Sequence, residues 1–320
     1  MGNIHQSIDG AIGQTAMVSL SRVVAHCGLS GNLYAKLEYL NPGSSKKDRV
    51  AKAMIDAAEA MGQLEKGQAI IELTSGNTGT GLAIVCAARG YRFIACMSAG
   101  NSPERAHMMR ALGAQVVLVP QAPGSPPGQV SGEDLALVEL EAKRLTEELG
   151  AFRADQFKLP ANIHAHQYGT AAEIIEQTGG DIDAFVDFAG SGGTFAGAAK
   201  GLKAYNPNIQ CYLVEPDTAA YYLGKEITNQ NHLIQGGGYS MELALIDRTC
   251  IDGVLTVTNE EAIEFTRALA RLEGAFCGFS SGANLAAAVK LLRGDFKGRS
   301  IAFLLNDSGL KYLSTELYKS

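Results

Sequence analysis

Short apolar runs alternate with longer helical patterns along this chain, and that alternation leaves few folds open. Runs rich in Val, Ile, Phe and Tyr are read as strands at 33–38, 69–73, 91–97, 115–119, 184–189, 209–214, 253–257 and 301–305. Helical patterns lie between them. Residues 47–61 set Val50, Met54, Ile55, Ala58 and Met61 at helical spacing. Residues 82–89 stop at Gly90, a helix-ending glycine, while 133–149 and 260–273 are mixed-charge amphipathic helices. Strands alternating with helices make mostly parallel sheets covered by helices on both faces. At 320 residues the expectation is two such α/β domains.

Composition narrows the function classes. Hydrophobic residues make up 46% and charged residues 19%, enough apolar mass for a large core. The net charge of −6 argues against a general nucleic-acid binder, which needs clustered basic side chains. No apolar stretch approaches the roughly 18 residues of a membrane helix. The start, Met1-Gly2-Asn3-Ile4-His5-Gln6, has no basic region followed by an apolar one. The six scattered cysteines show no Cys-x-x-Cys and read as buried thiols in a reducing compartment. A cytoplasmic enzyme or binding protein is expected. His164-Ala165-His166 lacks a third ligand, so no metal site is expected. The segment 120–132 is too rich in proline and glycine for regular structure and reads as a surface loop or linker.

Three glycine-rich turns carry the chemistry. Thr74-Ser75-Gly76-Asn77-Thr78-Gly79 and Gly190-Ser191-Gly192-Gly193-Thr194 each follow a strand, and Gly278-Phe279-Ser280-Ser281-Gly282 precedes a helix. Glycine lets the backbone approach an anion, and the next helix aims free N–H groups at it. None matches a nucleotide-binding P-loop or a dinucleotide fingerprint. A fourth segment, Asn41-Pro42-Gly43-Ser44-Ser45-Lys46-Lys47-Asp48-Arg49, puts lysine at a helix start. Positive charge is disfavoured there, and a neutral amine forms a Schiff base with an aldehyde. Such a lysine beside phosphate-binding turns suggests pyridoxal 5′-phosphate (PLP).

In their order and spacing these four motifs resemble the cysteine synthase / cystathionine β-synthase family, PLP enzymes of fold type II with a tryptophan synthase β-like architecture. The resemblance extends through Asp155-Gln156-Phe157, Val214-Glu215-Pro216 and Lys311-Tyr312-Leu313-Ser314-Thr315, nearly the whole chain. It implies two twisted, mostly parallel domains, 1–153 and 154–320, with PLP in the cleft between them. An early segment, about 13–34, is expected to pack on the second domain. Residue by residue, it implies that Lys47 is the Schiff-base lysine and general base, with Lys46 the competing assignment at a usually apolar position. Asn77 corresponds to the partner of the cofactor's 3′ oxygen, and Gly190, Ser191, Gly192, Gly193 and Thr194 to its phosphate cup. Thr74, Ser75, Thr78 and Gln156 correspond to the holders of the substrate α-carboxylate, and Ser280 faces the pyridine nitrogen. A hydroxyl there makes the ring a weaker electron sink than a carboxylate would.

The implied reaction is β-replacement on an activated L-serine, O-acetylserine-like, with sulfide to give L-cysteine through an aminoacrylate. The alternatives are condensation with homocysteine, as in cystathionine β-synthase, β-elimination, and a scaffold that has lost catalysis. The implied state is a homodimer. Relatives mostly read Leu-Pro where this chain has Leu305-Asn306, followed by Asp307-Ser308. Asp307 reads either as a neighbour of the pyridine nitrogen or as a helix N-cap before Leu310. Gln235-Gly-Gly-Gly238-Tyr239 is closer to the cystathionine β-synthase pattern, which leaves the second substrate open. Asp217 stands where phosphoserine-using relatives carry arginine, and would repel a phosphate leaving group. The chain ends shortly after Tyr312, and no regulatory domain is expected behind the core.

Overall fold

The computed structural model describes residues 4–74, 76–101, 103–125, 130 and 132–319. In chain order its first elements are β1 (Met17–Ser19), α1 (Ser21–His26), β2 (Asn32–Leu37), α2 (Lys47–Ala60), β3 (Ala69–Leu73), α3 (Asn77–Arg89) and β4 (Arg92–Ser98). Next come α4 (Pro103–Ala111), β5 (Gln115–Val119), α5 (Gly132–Leu149), β6 (Phe152–Arg153), α6 (Ala161–Ala165) and α7 (Ala171–Thr178). The last are β7 (Ala184–Phe188), α8 (Gly193–Tyr205), β8 (Gln210–Pro216), β9 (Gly253–Val257), α9 (Asn259–Glu273), α10 (Phe279–Arg293) and β10 (Ser300–Leu305). Each strand expected from the apolar runs is present within one or two residues of its expected ends. β1 and β6 were not anticipated, because two or three residues hold too little alternation to register.

Two compact units divide the chain. One comprises Met1–Ile12 with Lys47–Ala161, the other Gly13–Lys46 with Asn162–Ser320. The first is built on a four-stranded parallel sheet of order β5-β4-β3-β6. Val50, Met54 and Ile55 of α2, Leu82 and Val85 of α3, and Met109 of α4 pack in one core cluster with Ile70, Phe93, Ala95 and Met97. Val138 and Ala142 of α5 pack in another with Ile71, Ile94 and Cys96. Successive strand residues therefore face opposite layers, as the pleat requires. Of the proline-rich segment 120–132 between β5 and α5, residues 126–129 and 131 lie outside the described residues.

The second unit has six strands in the order β1-β2-β10-β7-β8-β9. All pairs are parallel except β1 with β2. Ile301, Phe303 and Leu305 of β10 and Ala184, Val186 and Phe188 of β7 face α1, α9 and α10. Ala302, Leu304 and Phe185 face the opposite layer, where α7 and α8 lie. Helix α10 is buried on nearly every side, and Ala283, Ala286, Ala287 and Ala288 let the sheet and α9 close on it. A helix this apolar belongs to the middle of a core rather than to a surface.

Candidate active site

Ligands in parallel α/β sheets bind beyond the carboxyl ends of the strands, and there each unit presents its glycine-rich turns. Helices α3, α8 and α10 have glycine at the N-cap: Gly76, Gly192 and Gly278. A glycine N-cap brings no side-chain oxygen to the first-turn N–H groups, so those donors remain for other acceptors.

In the second unit the turn after β7 runs into α8. Gly192 holds φ +88°, a left-handed value, and a Cβ on it would lie 2.8 Å from Ile246 Cγ1. Gly193 is equally constrained, because its Cβ would lie 2.2 Å from the Asn162 side chain. The hydroxyls of this turn are buried and held from behind. Asn162 Nδ2 donates to Ser191 Oγ at 2.9 Å, and His166 Nε2 lies 3.2 Å from Thr194 Oγ1, while its Nδ1 lies 2.8 Å from Thr170 Oγ1. Gly190, Ser191, Gly192, Gly193 and Thr194 thus form a hydroxyl-bearing turn at a helix N-terminus, with Ser191 and Thr194 buried. A dianion fits it: small hydroxyls and the positive end of α8 come together, with glycine where a Cβ would intrude.

The same sheet edge carries Ser280. Phe188 N–H donates to Asn284 Oδ1 at 2.7 Å, and Asn284 Nδ2 donates to the Leu304 carbonyl at 2.9 Å. This amide ties α10 to β7 and β10, and Ser280 stands one turn earlier on the same helix. Its Oγ accepts from Asn306 Nδ2 at 3.0 Å. Asp307 is instead an acceptor for the Tyr312 hydroxyl at 2.7 Å, and Ser308 caps the turn before Leu310. The N-cap expectation for Asp307 is therefore corrected by one residue, because Ser308 reaches the Leu310 N–H.

In the first unit Lys47 opens α2, and α3 packs beside it: a Cβ on Gly81 would lie 3.1 Å from the Lys47 carbonyl. Helix α3 begins at Asn77, five residues before the expected start at 82, because Thr74 Oγ1 accepts from Gly79 N–H at 2.9 Å and closes the first turn. Thr78 donates its hydroxyl proton to Gln156 Oε1 at 2.7 Å. Thr74, Thr78 and Gln156 are buried together; Ser75 lies outside the described residues. Behind them Glu72 on β3 is wholly buried, with Arg153 Nε at 3.3 Å and Gln156 Nε2 at 3.5 Å. These are long bonds, and burial outweighs the pull of Arg153, pushing the Glu72 carboxyl up to about 8.

The pyridoxal-phosphate dependent enzyme family model matches residues 8–307. The chain belongs to that family. The cysteine synthase of Staphylococcus aureus is 39% identical over 98% of this chain and 96% of its own. The crystal structure of an O-ureido-L-serine synthase superposes with a TM-score of 0.89 at 38% identity, covering 99% and 96% of the two chains. An O-acetylserine sulfhydrylase from Entamoeba histolytica gives 0.91 at 34% identity, covering 99% and 92%.

The enzyme's residues fit PLP. The glycine cradle before α8 suits its phosphate, because Gly192 and Gly193 stand where a Cβ would intrude. The sequence does not single out Asn162, and His166 stands out there only beside His164 as a metal-ligand candidate. Their signal was present as Asn162 and His166 at i, i+4, a spacing that sets two side chains on one helical face. His166 is spent on two threonine hydroxyls, and His164 packs on Tyr168 instead. Among the described residues no group of three metal-ligating side chains occurs, and no helix is long and apolar enough to cross a membrane. The glycines before Tyr239 also have a role. Gly238 N–H donates to the Ala189 carbonyl at 3.0 Å, and a Cβ on Gly237 would lie 2.2 Å from that same oxygen. The loop therefore lies directly against the strand end that leads into the cup.

Proposed function

We propose that this enzyme replaces the β-substituent of an activated L-serine, O-acetylserine-like, with sulfide to give L-cysteine. The observation that carries the reading is the pair of hydroxyl-lined helix starts after parallel strands, one before α8 and one before α3. Such a pair suits two anions, a cofactor phosphate and an amino-acid carboxylate. The similarity to cysteine synthase and O-acetylserine sulfhydrylase over almost the full chain supports the same reading.

Bound PLP would withdraw electrons from the α-carbon of the attached amino acid, easing loss of the Cα proton and then of the β-substituent. Lys47 would hold the cofactor covalently and, once displaced by substrate, take the Cα proton. Gly190, Ser191, Gly192, Gly193 and Thr194 would seat the phosphate, and Asn77 would bond the 3′ oxygen. Ser280 would face the ring nitrogen. Thr74, Ser75, Thr78 and Gln156 would hold the donor carboxylate. A homodimer acting in the cytoplasm completes the proposal.

A product screen tests it. Purified enzyme is offered O-acetyl-L-serine, L-serine and L-cysteine, each alone and with sulfide or homocysteine, and amino acids and pyruvate are separated. Cysteine from O-acetylserine and sulfide, faster than any other product, is expected. Predominant cystathionine, or pyruvate regardless of nucleophile, would replace this reading with condensation or elimination. Light scattering in solution reads the dimer.

A further inference from the structure

We infer that Asn306 is a positioning residue that fixes the direction of the Ser280 hydroxyl and so keeps the cofactor's ring nitrogen unprotonated. The inference rests on the placement of Ser280 opposite that nitrogen, proposed above.

Asn306 follows β10 directly, and its backbone is pinned on both sides. Its N–H donates to Ser281 Oγ at 2.9 Å, and its carbonyl accepts from Lys46 N–H at 2.9 Å. The side chain is 4% exposed and reaches Ser280, itself 8% exposed, through Nδ2. The other end of the amide, Oδ1, is buried without a hydrogen-bond partner. Among the described residues Asn306 is the one hydrogen-bond partner of the Ser280 side chain.

A serine hydroxyl has one proton and two lone pairs. Asn306 takes one lone pair, and accepting that bond makes the O–H a stronger donor. The proton then has to go to whatever faces Ser280. An unprotonated pyridine nitrogen accepts it, whereas a pyridinium would compete as a second donor and strand the hydroxyl proton in a buried site. The nearest carboxylate in sequence, Asp307, accepts from Tyr312, so the neighbour that sets Ser280 is a neutral amide. A chain with proline at position 306 lacks this donor. Here the direction of the hydroxyl is built in rather than left to rotate.

The test uses PLP labelled with ¹⁵N in the ring, loaded into the parent, N306D and S280A, with melting of each apoprotein as a folding control. The parent nitrogen is expected at the resonance of an unprotonated pyridine at neutral pH. In N306D the carboxylate takes the Ser280 proton, the hydroxyl turns a lone pair to the ring, and the resonance moves toward the protonated position. If the buried charge prevents N306D from folding, N306L removes the donor at similar volume and is expected to raise the PLP dissociation constant roughly fivefold. A protonated nitrogen in the parent overturns the inference. So does a resonance in N306D, or an affinity in N306L, that matches the parent while S280A shifts the nitrogen. A nitrogen unmoved by S280A as well overturns the placement of Ser280 itself.

Discussion

Lys46 and Asp187 form a buried ion pair, with Nζ 2.9 Å from Oδ1 and 3.0 Å from Oδ2. The adjacent lysines of the Ser-Lys-Lys motif therefore have different surroundings. An ammonium that gives its protons to a carboxylate offers no lone pair to an aldehyde, whereas Lys47 begins a helix. Borohydride reduction of the holoenzyme is expected to fix PLP on Lys47. Lys47→Ala should be colourless and inactive. Lys46→Ala should keep the cofactor's absorption band but lose about 3–5 kcal/mol of stability, because the buried Asp187 carboxylate then loses the countercharge 2.9 Å away. Lys46→Met with Asp187→Ala should recover most of that loss. A reduced adduct mapped to Lys46 would reverse the assignment.

The phosphate seat should depend on its backing as much as on its glycines. Gly193→Ala would drive a methyl into Asn162, and Gly192→Val would strain a left-handed residue against Ile246. Each is expected to weaken PLP binding more than tenfold in a fluorescence titration of the apoprotein. Asn162→Ala and His166→Ala leave the turn in place but release Ser191 and Thr194. Each should weaken PLP by roughly fivefold, the worth of one hydrogen bond of about 1 kcal/mol. PLP affinities equal to the parent's in both alanine variants would show that those hydroxyls do not line the seat.

The glycine turns were legible because anion binding writes itself into local sequence: glycine, small hydroxyl and helix start occur within five residues. The apolar runs located the strands for the same reason, since buried parallel strands leave few polar positions. What the sequence hid was long-range pairing. Nothing near Lys46 announces Asp187, 141 residues away, and nothing near Ser280 announces Asn306. Asp187 meets Lys46 because β7 lies beside β10, whose end pairs with Lys46, and Ser280 meets Asn306 because α10 starts against the end of β10. Helix α3 was read five residues short because Thr74, Gly76 and Gly79 look like turn residues, and a side-chain bond across the turn made them a helix start.

Glu72 should make the first unit less stable as pH rises. Its folded-state value is about 8, well above the usual 4.5. Between those two values the folded protein keeps a proton that the unfolded chain has released. Stability contributed by the protonated group is full below about pH 4.5 and is lost through about pH 8, at about 1.4 kcal/mol per pH unit. Glu72→Gln removes the titration and keeps the shape. The variant's melting temperature, followed from pH 5 to pH 8.5, is expected to fall less steeply than the parent's. Parallel slopes would mean that Arg153 holds Glu72 ionised throughout.

The start of α3 is expected to govern the amino-acid donor and not the cofactor. Thr78 and Gln156 bond each other there, and Thr74 spends one lone pair on Gly79 while keeping its proton to give. A carboxylate accepts only, so it competes for such protons and is favoured by the positive end of α3. Thr78→Val deletes one hydroxyl and the bond it gives to Gln156, which costs about 1 kcal/mol. Ser75→Ala deletes the neighbouring hydroxyl. Both variants are expected to bind PLP as the parent does, to weaken O-acetylserine at least tenfold, and to raise pyruvate relative to cysteine, since the aminoacrylate left once acetate departs is loosely held and escapes to water, where it hydrolyses to pyruvate and ammonia, before sulfide adds. If the loop serves only to start α3, the same variants will melt earlier with donor affinity and product ratio unchanged. Measuring PLP affinity, donor affinity, melting and product partition on each variant decides between the two roles.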